Sequence, residues 1–311
     1  MSQIFSIIAP LFLVIFVSAL LQRWMKIGEN WSQVLNELAL KIGLPVLIFS
    51  ALAKTTFSFS EQSILIIFNS IFIIATFVFA FLLGKILRLE KKMFRTFFLC
   101  LIFGNTAYLG IPVLIQISGE KILSSASLIV AIYLFWIFTL GIGFLEFNDK
   151  QKRKRDILKT IFVDLVKNPL LAAVVLGILV ASFKIILPSV LTKSLDMITA
   201  SVTPTVLIVI GLFIGRSKIG KIIDWVPALL FSLATLIILP AAFYFGVKFL
   251  GFSPSLFFPS IIQAAMPLAI TPFALSDKFG LHKEFIARSI VLSTILSIIS
   301  LPFWISILSA T

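Results

Sequence analysis

One cysteine, Cys100, and one histidine, His282, are all this chain holds of the residues that close disulfides and ligate soft metals. No disulfide can form within it, and an ordinary Cys/His metal site has nothing to be built from. No metal and no cofactor are therefore expected, and a lone histidine near a loop leaves no Ser/His/Asp set. Charge is scarce as well, at 13% of residues. No pair of carboxylates falls plainly inside the apolar stretches and no nucleotide-binding loop is present. A membrane enzyme or an ATP-driven pump is a poor fit to such a chain. No polar stretch is long enough for a separate soluble domain.

What fills the chain is apolar: 60% of residues are hydrophobic, and 33 of the 311 are Phe. A water-soluble domain of this length could not cover so much apolar surface. An all-α polytopic membrane protein is expected. Runs of about 20 apolar residues, the length that spans hydrocarbon, fall near 4–22, 33–54, 61–86, 94–117, 122–146, 167–187, 191–214, 225–249, 256–277 and 285–309. These predict ten transmembrane helices packed end to end. The first follows no basic segment, and its first basic residues, Arg23 and Lys26, come after the apolar run. A retained helix is expected there rather than a signal peptide.

The net charge of +13 invites nucleic acid as a partner, and the placement of the charges argues against it. With the N-terminus outside, inward-facing connections carry 20 of the 26 Lys and Arg, outward-facing ones carry five, and Lys41 lies within a span. That bias is the positive-inside rule. It predicts both termini outside and makes the lipid bilayer, not nucleic acid, the surroundings these charges answer to.

The basic run Lys150-Gln151-Lys152-Arg153-Lys154-Arg155-Asp156 divides the chain into a first half, 1–147, a cytoplasmic connector, 148–160, and a second half, 161–311. The connector reads as a solvated loop, with a docking or anionic-lipid site as the alternative. A shift of 159 residues brings Pro10 onto Pro169 and Pro45 onto Pro204, and a shift of 160 brings Pro112 onto Pro272. Those are all the prolines of the first half. Five spans per half is an odd number, so the second copy must enter the membrane from the opposite side. The halves are expected to be inverted five-helix repeats about an axis in the membrane plane.

Spans 4 and 9 are interrupted. The first reads Gly104-Asn105-Thr106-Ala107-Tyr108-Leu109-Gly110-Ile111-Pro112, the second Gln263-Ala264-Ala265-Met266-Pro267-Leu268-Ala269-Ile270-Thr271-Pro272. A break in hydrocarbon frees backbone groups that cost several kcal/mol each if unpaired, so it persists only where protein, cavity or ligand satisfies them. Matched breaks in two halves point to a transporter's binding site. Crossing there, the half-helix N-termini would bring positive dipole ends to one point, a place for an anion.

Asn105, Thr106, Gln263, Thr271 and Lys41 are the candidate substrate-binding residues. Asn105 has amide donors and a carbonyl for a ligand carboxylate, and it equally suits capping its own half-helix; Gln263 faces the same choice. Lys41, about a third of the way into span 2, is costly in hydrocarbon by roughly 2.5–3.5 kcal/mol, which marks a functional site or a side chain snorkelling beside Glu37. Gly104 and Gly110 read as places of close helix crossing. Pro112, Pro267 and Pro272 shape the breaks. Asn36, Glu37, Thr203, Thr205 and Asp196 are weaker candidates.

The Gly104–Val113 stretch resembles the fourth-helix motif of the auxin efflux carrier family. The stretch Ile262-Gln263-Ala264-Ala265-Met266-Pro267, continuing through Thr271-Pro272-Phe273-Ala274 to Phe279, is similar to its ninth helix, and Asn36 with Leu44-Pro45-Val46-Leu47-Ile48-Phe49 fits its second. The resemblance covers all ten spans. It implies a ten-helix secondary carrier in which crossed helices 4 and 9 bind an organic anion, Asn105 meets the carboxylate, and Pro112 and Pro272 mark the crossover. It also implies elevator-type alternating access, dimers as in plants, and a small dicarboxylate or auxin-like substrate. The chain has neither the long cytoplasmic loop of many plant members nor, beside Asn69 in span 3, an acidic–lysine pair. The leading expectation is an exporter of a small organic anion in the plasma membrane, working as a homodimer. A sodium- or proton-coupled symporter and a non-transporting sensor docked through 150–155 are the alternatives.

Overall fold

The computed structural model describes residues 2–55, 59–147, 154–217 and 221–309. Among them every regular element is a helix, apart from one isolated antiparallel bridge between Gly104 and Leu268. Helices are what hydrocarbon demands of an open chain, because each satisfies its own backbone. Seven are long and apolar enough to cross a membrane: Ile4–Met25, Asn30–Ala53, Gln62–Ile86, Glu120–Glu146, Ser189–Arg216, Ile222–Phe249 and Lys283–Ser309. They account for seven of the ten expected spans.

The other three are not continuous helices of that length. Span 6 is the helix Pro169–Ser182, opened by Asn168, whose Oδ1 accepts from Leu170 N at 2.9 Å and Leu171 N at 3.3 Å. Proline in first position, behind an Asn cap, is a strong start signal. Spans 4 and 9 are each split in two at the breaks. The first six residues of the expected connector, 148–153, lie outside the described residues, and the rest belongs to a helix, Lys154–Val166.

Three prolines follow π-turns at the same offset. Ala39–Gly43, Thr106–Gly110 and Ala234–Ile238 are π-turns, and Pro45, Pro112 and Pro240 each stand two residues beyond one. A proline ring clashes with the carbonyl four residues back; the wider turn makes room for it. The last of these turns strands a carbonyl, and Trp304 Nε1 donates to it, at Leu236 O, over 2.8 Å.

The chain packs as two compact units, each drawing on both sequence halves. One comprises Met1–Ile66, Ala107–Ala131 and Lys167–Arg216, the other Ile67–Thr106, Ile132–Val166 and Ser217–Thr311. In the first, helix Ser2–Met25 lies along Ser189–Arg216 at small-residue positions. A Cβ on Gly211 would fall 2.4 Å from Ile15 O, and one on Gly215 2.4 Å from Ala19 O, so glycine is what lets the backbones approach. Lys54 pairs with Asp196 at 2.7 Å, and Arg216 donates to the carbonyls of Ile27 and Gly28. In the second unit phenylalanines bridge the helices. Phe72–Phe243 and Phe68–Phe257 lie 4.8 and 4.7 Å apart between ring centres, and Phe98–Phe144 4.1 Å. Apolar rings of that size fill wide interhelix spaces without polar groups to satisfy.

Candidate functional site: the paired helix breaks

Helix Lys91–Ile102 ends at Phe103, and the chain resumes at the π-turn Thr106–Gly110, which runs on as Ile111–Ser118. Helix Phe258–Ala264 ends at Ala265, and Thr271–Phe279 starts anew. Pro267 can donate no hydrogen bond, and Pro272 sits in the first turn of the new helix, where its missing N–H costs nothing.

The two breaks satisfy each other. Asn105 N–H donates to Pro267 O at 2.7 Å, and Ala269 N–H donates to Phe103 O at 2.9 Å. Between those bonds Gly104 faces Leu268 as an antiparallel pair. In that kind of pair the N–H groups of the two residues point to opposite edges. Leu268 N–H finds the hydroxyl of Ser293 at 3.1 Å. Gly104 N–H meets no acceptor among the described residues.

Asn105 is 3% exposed, yet its side chain forms no hydrogen bond among the described residues, and Nδ2 is buried without a partner. The structure thus gives no support to Asn105 as a cap of its own half-helix. Thr106 and Gln263 are buried close to Gly104: a Cβ built there would lie 3.7 Å from Thr106 Cγ2 and 3.9 Å from Gln263 O. Those are ordinary contacts, so close approach is not what requires glycine at 104. Thr271 is half-buried at the start of the second half-helix.

These residues belong to one unit; Lys41, Gly110 and Pro112 belong to the other. Gly110 closes the π-turn and Pro112 follows it. Lys41 is paired with Glu37 at 2.8 Å, with its side chain 66% exposed. Within the same unit Tyr108 donates to Asn36 Oδ1 at 2.8 Å. Of the weaker candidates, Asp196 is engaged by Lys54, and Thr205 donates to Ser201 O in its own helix.

Two features escaped the sequence reading. Asn69 donates to Ser260 Oγ at 2.8 Å, both fully buried, one turn before Gln263. Ser293 is the other, and its signal was legible: Ser289, Ser293 and Ser297 recur every four residues and share a buried face. What gathers around Gly104 and Asn105 is a set of donors, an amide and a backbone N–H, next to half-helix N-termini. Among the described residues no carboxylate belongs to it. Donors beside a helix N-terminus are the chemistry that suits negative charge.

The model of the membrane transport protein family matches residues 3–305. The chain belongs to this family, that of the auxin efflux carriers. It is a membrane transporter and not an enzyme. An uncharacterized transporter of Methanocaldococcus jannaschii is 26% identical over 89% of both chains. A putative malonate transporter of Rhizobium meliloti is 21% identical over 96% of this chain and 93% of its own. The auxin efflux carrier component 8 of Arabidopsis thaliana is 21% identical over 63% of this chain and 66% of its own. Within this transporter, the two segments whose breaks pair are two of the three that carry the family resemblance.

Proposed function

We propose that this transporter carries a small organic anion out across the plasma membrane, binding it at the paired breaks. One observation supports the reading above the rest: Asn105 Nδ2 is buried without a partner among the described residues. An unsatisfied buried donor costs about 1–3 kcal/mol, and a ligand carboxylate would relieve that cost, with Gly104 N–H as a second donor. Thr106, Gln263 and Thr271 complete the neighbourhood. The names of two relatives, a putative malonate transporter and an auxin carrier, support carboxylates as the substrate class, dicarboxylate or auxin-like.

The remaining architecture belongs to the same proposal. The breaks are spans 4 and 9 of ten, in two inverted repeats, with both termini outside and the carrier a homodimer. Alternating access is elevator-type, and the unit that holds Gly104, Asn105 and Gln263 carries the anion. The test is transport in proteoliposomes with labelled malonate. Asn105→Ala is expected to lower uptake at least tenfold while the protein stays folded. Wild-type rates in the folded variant would overturn the assignment, and flux that needs an imposed sodium or proton gradient would replace the exporter with a symporter.

A further inference from the structure

We infer that Ser293, on the last helix, is a positioning residue for this site, an inference that rests on the paired breaks being where the anion binds. Leu268 lies opposite Gly104, in a pair whose N–H groups turn away from each other. The N–H of Leu268 therefore cannot be satisfied by the other break and needs an acceptor on its own edge. Leu268 is 1% exposed, so water does not reach it, and an unpaired N–H there would be costly.

Ser293 Oγ supplies the acceptor at 3.1 Å and is itself fully buried. Its proton goes to Ser289 O at 2.5 Å. With the proton committed to the helix carbonyl, a lone pair is left aimed at Leu268. A serine bonding back to its own helix is commonplace; the second bond, to the break, sets Ser293 apart. Ser297, one turn on and equally buried, donates among the described residues only to Thr294 O.

The consequence reaches the donors across the pair. Leu268 is flanked by Pro267 and Ala269, which hold Asn105 N–H and Phe103 O at 2.7 and 2.9 Å. Moving Leu268 moves Gly104 and Asn105 with it. Binding groups must be held to within about 0.5 Å to work, and Ser293 is the side chain that ties this edge of the break to a continuous helix.

The test compares Ser293→Ala, Ser293→Thr and Ser297→Ala in the full-length carrier. The first readout needs no ligand: hydrogen exchange of the 265–270 backbone. Ser293→Ala is expected to speed exchange at Leu268 at least tenfold, with Ser293→Thr close to wild type and Ser297→Ala unchanged. The second is malonate transport, where Ser293→Ala should raise KM about tenfold with maximal rate within twofold. Ser293→Thr should restore KM; should the added methyl prevent folding, Ser293→Cys, a weaker acceptor, is expected to fall between Ser and Ala. Unchanged exchange in Ser293→Ala, or an equal KM rise in Ser297→Ala, overturns the role of Ser293. Asn105→Ala in the same assays separates the two readings. If it abolishes malonate binding while Ser293→Ala does not disturb it, the positioning role alone fails. If Asn105→Ala binds malonate normally, the site itself has been misplaced.

Discussion

Asn105 illustrates how a residue can be kept at a cost to the fold. Its amide nitrogen is buried without a partner among the described residues, which is destabilising unless something else supplies an acceptor. Replacing it with the apolar near-isostere, Asn105→Leu, should leave the ligand-free protein as stable or more so, by about 1–3 kcal/mol from the removed orphan donor, while abolishing malonate transport. Heat unfolding in detergent checks this. A large fall in the unfolding temperature would mean that the amide is satisfied without ligand. That Asn105 lies beside a break was legible in the sequence; that its side chain caps nothing among the described residues was not, because capping and ligation ask for the same residue type. Lys41 was legible only as an alternative. Its cost in an apolar run is plain from sequence, but the Glu37 pairing depends on both side chains taking compatible rotamers.

At the scale of elements, prolines and small polar residues announced both breaks, since each removes or competes for helical hydrogen bonds. Sequence spacing could not say how the freed groups are satisfied. Phe103–Asn105 and Pro267–Ala269 are more than 160 residues apart, and their pairing is a fact of tertiary structure. The π-turns ahead of Pro45, Pro112 and Pro240 were likewise hidden, because the sequence marks the proline and not the turn that accommodates it. Helix contacts at glycine follow the same logic and make a paired prediction. Gly211→Ala places a Cβ 2.4 Å from Ile15 O and should destabilise the protein by about 1–3 kcal/mol through overpacking. Gly246→Ala, where a Cβ meets nothing within 4 Å, should be neutral or stabilise by up to about 1 kcal/mol through helix propensity. Equal unfolding temperatures for the two would show that the Gly211 helix pair yields at no cost.

For the whole molecule, the apolar composition and the charge bias predict a polytopic protein with both termini outside. The division into two units was not legible, because each unit takes helices from both halves and no linker marks the exchange. Orientation is checked by single-cysteine labelling, which the chain suits, since its own Cys100 is buried. Lys121→Cys, in an expected outward connection, should react with a membrane-impermeant maleimide on intact cells. Arg88→Cys, in an expected inward one, should react only after permeabilisation. The reverse pattern would invert the topology.

The central claim is that the paired breaks bind an organic anion through Asn105. Its most direct test is thermal stabilisation of the purified carrier by malonate, malate, succinate, lactate and indole-3-acetate, with and without sodium, in wild type and Asn105→Ala. A ligand of the folded state stabilises it by about 2.7 kcal/mol at a hundredfold excess over its dissociation constant. The expected result is a shift with at least one of these anions in the wild type that disappears in Asn105→Ala. A shift that survives the substitution, or one produced only by cations or neutral solutes, would contradict that claim.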